Sequence, residues 1–327
     1  MRAMCVHETG RGMRLEDIPD PAPGPGEVLV AIHACGVNFA DTLMVEGRYQ
    51  EKPPLPFTPG MEICGTIRAL GPGVAGPAPG TRVAAFTGSG GFAQLATIPV
   101  ERCVPVPPSM TDAQAAGFLV AYGTSHLALS HRARLQPGET LLVLGAAGGV
   151  GLTAVELGAL MGARVIACAR GREKLAVARA AGAHHLIDSD TADLRAEVKA
   201  LGGADVCYDP VGGAPFDAAL RAMRPEGRIL PVGFASGAVP QIPANILLVK
   251  NLTVIGFYWG AYASLRPDLM AESLRQLFAW HEAGRLHPHV SHVLPLTQAQ
   301  EALDLLRLRA ATGKVVVQIR DASGSTL

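Results

Sequence analysis

From residue 140 onward the chain alternates short apolar runs with segments of helical periodicity. We predict six strands from these runs, at 140–144, 164–169, 185–187, 205–209, 228–232 and 252–256. In the helix predicted after the first strand, Val150, Ala154, Leu157 and Met161 recur at helical spacing. Parallel strands joined by helices form a doubly wound sheet, which binds ligands at the carboxyl ends of its strands. The fold class predicted is therefore α/β.

The first part of the chain has a different pattern. Short apolar runs punctuated by Gly and Pro predict strands of a partly open β-barrel, at 27–33, 63–67, 81–85 and 94–98. Thr111 and Gln114 have the spacing of a capping box. We expect the helix that they begin to continue toward Leu129, with a break near Gly123.

The last part of the chain has mixed character. Amphipathic helices are predicted at 268–283 and 297–309, followed by a strand at 314–319. This lone strand needs a partner, which the barrel strands supply. We therefore predict a discontinuous catalytic domain, 1–122 with 259–327, and a nucleotide-binding domain at 123–258, with a cleft between them. The tail after Asp321 is expected to fray.

The segment Gly145-Ala-Ala-Gly-Gly-Val-Gly151 follows the strand predicted at 140–144 and opens a helix. In such a turn Gly148 presents no side chain to a pyrophosphate, and Gly151 lets the helix pack closely on the strand. The helix N-terminus offers unpaired N–H groups and the positive end of its dipole to phosphates. This context predicts a dinucleotide site.

The residue that follows the strand predicted at 164–169 selects between the nicotinamide dinucleotides. An acidic residue there bonds a free ribose 2′-hydroxyl and repels a 2′-phosphate, but this chain has Arg170, followed by Arg172 and Lys174. A guanidinium suits phosphate contact. We predict NADPH rather than NADH. The alternative is that these cations cover the first turn of a solvated helix.

Composition excludes several classes of function. The 327 residues are 49% hydrophobic, enough for a large core and about two domains. Lys plus Arg and Asp plus Glu each total 28, and no basic stretch is interleaved with aromatics, so no nucleic-acid partner is expected. No apolar stretch reaches the roughly 20 residues of a membrane span, and no apolar signal segment opens the chain. We expect no membrane partner and a cytoplasmic location.

Six well-separated cysteines contain no C-x-x-C pair and are expected to be small buried hydrophobes rather than disulfide partners or zinc ligands. Four histidines lie close together in sequence, at His281, His287, His289 and His292. Pro288 lies between the second and the third, so this segment is interpreted as a solvated loop rather than a metal site. No metal site is predicted.

Several further motifs accompany the glycine turn. They are Pro23-x-Pro-Gly-Glu-Val-Leu-Val30, Gly36-Val-Asn-Phe-Ala-Asp41, Pro59-Gly-Met-Glu62, Asp209-Pro-Val-Gly212 and Gly313-Lys-Val-Val-Val317. Over nearly its whole length the chain resembles the medium-chain dehydrogenase/reductase superfamily, and within it the zinc-free NADPH:quinone oxidoreductases of the zeta-crystallin type. The resemblance implies a Rossmann NADPH-binding domain and a GroES-like catalytic domain.

The chain departs from the zinc-dependent branch of that superfamily. Asn38 stands where the branch has a Cys, and Met61 precedes Glu62 where it has a His. A reductase without zinc suits an acceptor whose reduction gives a stabilised anion, such as a quinone or a conjugated enone. One or two hydrogen-bond donors are enough to polarise such an acceptor. Asp41 and Glu62 are interpreted as structural rather than as a catalytic pair.

The resemblance also assigns residues. Asn38 matches a residue near the nicotinamide and Tyr49 a tyrosine at the substrate mouth, so both are expected to be catalytic; a turn-capping Asn and a surface Tyr are the alternatives. Thr124 matches a hydroxyl near the nicotinamide ribose; the alternative is a threonine in the interior of a helix. The cofactor-binding residues are expected to be Asn38, Thr124, Ala147, Gly148, Gly149, Val150, Arg170, Lys174, Phe234 and Arg309.

Other functions remain open at this stage. An enoyl-thioester or 2-alkenal reductase of the same superfamily is one, with Arg48 and Lys52 as candidates to hold a coenzyme A phosphate. A non-catalytic NADPH-binding sensor or scaffold is another. Relatives are often dimers joined through sheet edges, and the apolar predicted edge at 252–255 fits a homodimer.

Overall fold

The computed structural model of this chain describes residues 1–320, so the tail expected to fray lies outside the described residues. The elements in the first part are β1 (Arg2–Cys5), β2 (Arg14–Asp17), β3 (Glu27–Val37), α1 (Phe39–Val45), β4 (Glu62–Leu70), β5 (Arg82–Phe86), β6 (Leu95–Pro99), β7 (Cys103–Pro105), α2 (Asp112–Ala116) and α3 (Leu119–His126). A π-helical turn, Leu127–Arg132, continues α3.

The central and last parts supply the remaining elements. They are β8 (Thr140–Leu144), α4 (Gly149–Leu160), β9 (Arg164–Ala169), α5 (Gly171–Ala180), β10 (His185–Asp188), α6 (Leu194–Ala200), β11 (Ala204–Asp209), α7 (Gly213–Ala222), β12 (Met223–Pro231), α8 (Ala244–Lys250), β13 (Thr253–Val254), α9 (Tyr262–Leu265), α10 (Pro267–Glu282), β14 (Val290–Pro295), α11 (Ala299–Arg307) and β15 (Lys314–Gln318). Within residues 1–320, no helix has the length and apolar content to cross a membrane.

The chain forms two compact units. The first combines Met1–Val120 with the chain from Pro288 onward, and the second is Ala121–His287. The predicted nucleotide domain ended at residue 258, whereas this second unit includes α10. The reason is local packing: on α3, His126 Nδ1 lies 2.7 Å from Ser273 Oγ, and its ring meets the Trp280 ring edge-on at 5.3 Å.

The first unit contains a mixed seven-stranded sheet. Its order is β14-β15-β3-β4-β5-β7. The long strand β3 pairs with β15 near its carboxyl end and with β6 near its amino end. The strand predicted at 314–319 is β15, which pairs antiparallel with β3 and parallel with β14. The prediction that the lone last strand joins the first part of the chain is therefore confirmed. Fully buried apolar side chains form the core of this unit, among them Ile32, Ile63, Phe92, Val317 and Ile319.

The helix expected from Thr111 toward Leu129 is not continuous. The capping box is confirmed, since Thr111 Oγ1 accepts the N–H of Gln114, but the helix ends at Gly117. The break expected near Gly123 is wrong, because Gly123 lies inside α3. A Cβ there would lie 2.8 Å from the indole of Trp259, so this glycine permits close packing instead.

The second unit contains a parallel six-stranded sheet in the order β10-β9-β8-β11-β12-β13. From β8 the chain builds outward through β9 and β10, and it then returns to β11 on the other side of β8. Strand order therefore reverses between β8 and β11, where a doubly wound sheet binds its ligand. This confirms the predicted α/β fold class.

Candidate functional site

The turn after β8 positions the start of α4. Gly145 has a φ of +58°, which favours glycine, and the N–H of Ala146 donates to the carbonyl of Cys168 at the end of β9 (3.0 Å). Gly148 is the N-cap of α4. The N–H groups of the first helical turn, from Gly149 and Val150, have no carbonyl in a preceding turn to bond, which leaves them open to an external acceptor. This arrangement suits a phosphate.

Two glycines of this turn have different functions. A Cβ on Gly151 would lie 2.1 Å from the carbonyl oxygen of Gly145, so helix and strand require glycine there. A Cβ on Gly148 would meet nothing nearer than 3.4 Å, and its φ of −80° and ψ of 175° suit any residue. The fold does not need glycine at Gly148. That a pyrophosphate lies beside it stays a prediction from the sequence.

Cations and carboxylates meet at the end of β9. Arg170 is the N-cap of α5, and its Nε lies 3.2 Å from Asp190 Oδ1, with both side chains about half exposed. Asp188 Oδ1 accepts the N–H of Gly171 (3.0 Å) and that of Asp190 (3.1 Å). These two bonds lower the pKa of Asp188. Arg170 and Lys174 were predicted here, but the two carboxylates were not.

Three buried hydroxyls lie beneath the first turn of α4. Ser125 Oγ donates to the carbonyl of Val150 (2.9 Å), and it lies 2.8 Å from Thr153 Oγ1 and 3.0 Å from the phenol oxygen of Tyr208. Burial raises the pKa of Tyr208. The cluster connects α3, α4 and β11, and sequence reasoning missed it. Thr124, predicted at the cofactor, precedes Ser125 and is 7% exposed.

Phe234 lies in the loop that follows β12. Its ring stands near Gly212, where a Cβ would be 3.1 Å from Phe234 Cδ1. The turn that contains Gly212, between β11 and α7, is held by the buried Asp209 carboxylate, which accepts the N–H groups of Val211 (2.7 Å) and Gly212 (2.9 Å). The glycine turn, Arg170 and Phe234 thus all follow carboxyl ends of parallel strands, at one edge of the sheet.

The first unit contains a buried ion pair. Lys314 Nζ donates to Glu62 Oε1 (2.8 Å), to Asn38 Oδ1 (2.8 Å) and to the carbonyl of Val37 (2.9 Å). The Lys314 side chain is 7% exposed and that of Glu62 is fully buried. Sequence reasoning missed Lys314. Its signal in the sequence is a lysine directly before three valines at the start of β15.

Asn38 is oriented by that lysine. Because Lys314 can only donate, the amide oxygen faces it, and Nδ2 donates to Glu62 Oε1 (3.0 Å) and to the carbonyl of Gly36 (3.3 Å). Both N–H bonds of the amide are therefore engaged within the protein. Tyr49 follows α1 and is only 8% exposed, so it is not the surface tyrosine of the alternative interpretation.

The two buried carboxylates of this unit hold backbone. Asp41 accepts the N–H groups of Asn38 (2.8 Å) and Gly60 (3.1 Å), and the second oxygen of Glu62 accepts that of Val120 (2.9 Å). Burial raises the pKa of Asp41 to about 7, although the two N–H donors lower it. These contacts agree with the structural role inferred for both residues.

The histidines noted in the sequence have separate partners. The backbone N–H of His287 donates to Glu156 (2.7 Å), and His289 Nε2 lies 2.9 Å from Thr312 Oγ1. Across the part of the chain that the structure describes, no three His, Cys, Asp or Glu side chains are grouped so that they could hold a metal ion. Arg309, predicted at the cofactor, belongs to the first unit and has a φ of +54° after α11.

Two family models match the chain. One is described as the alcohol dehydrogenase GroES-like domain and covers residues 24–108; the other is described as zinc-binding dehydrogenase and covers residues 149–277. A quinone oxidoreductase-like protein 2 homolog from Nematostella vectensis is 41% identical over 326 residues, which are 98% of this chain and 89% of the relative. The similarity therefore extends over both units.

Solved structures agree with this similarity. The quinone oxidoreductase of Thermus thermophilus, whose crystal structures include a complex with NADPH, is 34% identical with a TM-score of 0.86 and covers 97% of this chain and 100% of its own. The Escherichia coli quinone oxidoreductase complexed with NADPH is 27% identical with a TM-score of 0.91 and the same coverage. The fold is shared with quinone oxidoreductases whose crystal structures contain NADPH.

Proposed function

Because the chain belongs to the quinone oxidoreductases of the zeta-crystallin type in the medium-chain dehydrogenase/reductase superfamily, we propose that it transfers hydride from NADPH to quinones or related conjugated carbonyls without zinc. It is an oxidoreductase that binds NADPH. The acceptor and the independence from zinc are the proposed parts, and each has its own support and its own test.

The observation that carries the proposal is the buried cluster of Lys314, Glu62 and Asn38. The zinc-dependent branch has a metal ligand at the position of Asn38, but here the amide bonds an ammonium group and a carboxylate. Lys314 already balances the charge of Glu62, at 2.8 Å. A second cation beside this ammonium would be repelled, so the cluster supports a reaction that needs no metal.

The second unit supplies the groups that would hold the cofactor. The first turn of α4 suits the pyrophosphate, the space beside Gly148 admits it, and Arg170 with Lys174 suits the 2′-phosphate. Ser125 anchors α4 through the carbonyl of Val150 and so fixes the direction of that turn. NADPH supplies the hydride when bound.

Polarisation of the acceptor is assigned in this proposal to Asn38 and Tyr49 of the first unit. Reduction of a quinone or an enone places negative charge on oxygen, which a hydrogen-bond donor stabilises. Asn38 would donate by exchanging its bond to the carbonyl of Gly36, which at 3.3 Å is the longer of its two. Lys314 keeps the Asn38 amide oriented for this exchange.

The experiment is steady-state NADPH oxidation with quinones, 2-alkenals and short enoyl thioesters compared side by side. We expect quinones to give the highest kcat/KM. A Gly148→Ala variant is the control: if NADPH is consumed at the glycine turn, the rate of NADPH oxidation should be lower in this variant. Enoyl thioesters as the best acceptors would replace the proposal by a thioester reductase. Tight NADPH binding with no turnover across the panel would indicate a sensor or scaffold.

Independence from zinc needs a separate measurement. Purified enzyme dialysed against a strong chelator should keep its activity, and elemental analysis should find much less than one zinc per chain. Loss of activity on chelation, with recovery on addition of zinc, would contradict this part of the proposal and leave the acceptor unaffected.

We further propose a homodimer that forms through β13. This strand is one of the two edges of the parallel sheet, and on α8, which precedes it, Leu248 and Val249 are 75% and 72% exposed. An open edge beside exposed apolar side chains favours pairing with a second copy. Light scattering coupled to gel filtration should give twice the chain mass of 34.0 kDa, and a monomer would refute the proposal.

A further inference from the structure

Two carboxylates, from Asp188 and Asp190, lie at the end of β9. Asp188 accepts the N–H of Gly171, the first helical residue of α5, and Asp190 lies 3.2 Å from the Arg170 guanidinium. An N–H at a helix N-terminus and a guanidinium are the two kinds of group that bind a phosphate. Here the Gly171 N–H and the Nε of Arg170 each have a carboxylate partner, Asp188 at the end of β10 and Asp190 just after it.

A nucleotide 2′-phosphate at this position would meet two kinds of opposition. It carries close to two negative charges and would be repelled by the carboxylates. It would also share the Arg170 guanidinium with Asp190: the single hydrogen of Nε is directed to that carboxylate, so a bidentate contact of the phosphate with Nε and a terminal N–H requires Asp190 to be displaced. NADH has a hydroxyl in place of this phosphate and can bind while the Arg170–Asp190 pair stays intact.

We propose that Asp190 is a specificity-determining residue, which weakens the preference for NADPH over NADH by competing with the 2′-phosphate for Arg170. The inference rests on NADPH binding at the glycine turn and on the position of Arg170 at the end of β9. Asp188 has a different role, because its bonds to two backbone N–H groups build the turn itself.

The size of the effect follows from exposure. The Arg170 and Asp190 side chains are 54% and 53% exposed, so water screens their interaction. Removal of the Asp190 charge releases Arg170 and also removes one repulsion from the phosphate. We therefore expect a gain in NADPH affinity of about three- to tenfold, and a change in NADH affinity of less than about twofold.

The experiment measures equilibrium dissociation constants of NADPH and NADH by the fluorescence of the reduced nicotinamide. Competition by 2′,5′-ADP and by 5′-AMP isolates the adenosine end. Asp190→Asn should tighten NADPH and 2′,5′-ADP without tightening NADH and 5′-AMP. Asp217→Asn, an exposed aspartate on α7, makes the same change in net charge and should leave all four constants unchanged.

A second background separates competition from general charge. In an Arg170→Gln protein the pair is already absent, so Asp190→Asn should give at most half of the fold-gain seen with Arg170 present. Equal gains in both backgrounds, an equal gain for NADH, or a gain reproduced by Asp217→Asn would overturn the proposal. If the unaltered protein bound neither dinucleotide, the cofactor assignment would fail with it; if it bound both and Asp190→Asn left their ratio unchanged, only the role of Asp190 would fail.

Discussion

The glycine turn of the second unit and the charge cluster of the first unit differ in whether their polar groups have hydrogen-bond partners within the protein. At the turn, the first N–H groups of α4 are directed away from the helix and Gly148 leaves room beside them. In the cluster, Lys314 donates to three acceptors and Asn38 uses both N–H bonds of its amide on protein partners. The N–H groups of the turn are open to an external acceptor, whereas in the cluster an external acceptor could reach the Asn38 amide only by replacing one of its present bonds.

The difference shows how a polar group is assigned to binding or to stability. A buried charge without partners is strongly unfavourable, so a fold that retains Lys314 and Glu62 must pair them. Backbone N–H groups at a helix terminus lie near solvent and tolerate the absence of a protein partner. Substitutions in the cluster should therefore affect stability first, and those in the turn should affect binding first, except where the turn is packed.

The largest effect is expected for Lys314→Met. It leaves the Glu62 carboxylate buried without its cation, which should lower the free energy of unfolding by about 4 kcal/mol. Chemical denaturation measures this. The matched control is the double variant Lys314→Met with Glu62→Gln, which removes both charges and should recover at least half of the loss. A single variant as stable as the parent protein would show that the pair contributes nothing.

The glycine turn also contains a position where packing dominates. Gly151→Ala places a Cβ 2.1 Å from the carbonyl oxygen of Gly145, so helix α4 must move away from the strand. We expect a loss of about 3 kcal/mol in the free energy of unfolding, at the upper end of overpacking effects. An unchanged midpoint of thermal unfolding would contradict the close approach of helix and strand.

Asp41, a buried carboxylate that bonds the backbone of Asn38 and Gly60, makes the stability of the protein sensitive to pH. Its pKa is about 7 in the folded protein against an ordinary value of 3.8, so between these values the folded state holds a proton that the unfolded state has lost. Stability should therefore fall as pH rises through this window, by about 2 kcal/mol between pH 5 and pH 7. The measurement is the difference in unfolding free energy between the parent and Asp41→Asn at each pH. A difference independent of pH would exclude this titration.

The smallest change in stability, with a clear change in binding, is expected for Gly148→Ala. The new methyl group enters the space that suits the pyrophosphate and contacts the protein only at ordinary distance. NADPH should bind about tenfold more weakly, about 1.4 kcal/mol, while the free energy of unfolding changes by less than about 0.5 kcal/mol. Fluorescence titration and denaturation of the same sample check both. Weaker binding only in proportion to lost stability would place Gly148 with the packed glycines.

The local features of this chain were predictable from the sequence. The strands at 140–144 and 164–169 begin and end as the apolar runs indicate, and the capping box of Thr111 forms as its spacing predicts. Arg170 lies at the end of β9 for the same reason. Each of these features depends on residues a few positions apart, whose periodicity and hydrogen bonding are written in the order of the chain.

Only the tertiary structure decided which distant polar groups meet. Lys314 and Glu62 are 252 positions apart and form a pair because β15 lies beside β3, and β3 beside β4. Asp190 reaches Arg170 because β10 pairs with β9. The helix predicted from Thr111 toward Leu129, with a break near Gly123, is interrupted instead at Gly117. The sequence alone determined the strands β8 and β9 and the glycine turn that opens α4, because the interactions that form them are short-range. Strand pairing across the sheets determined the partners of the buried and competing charges.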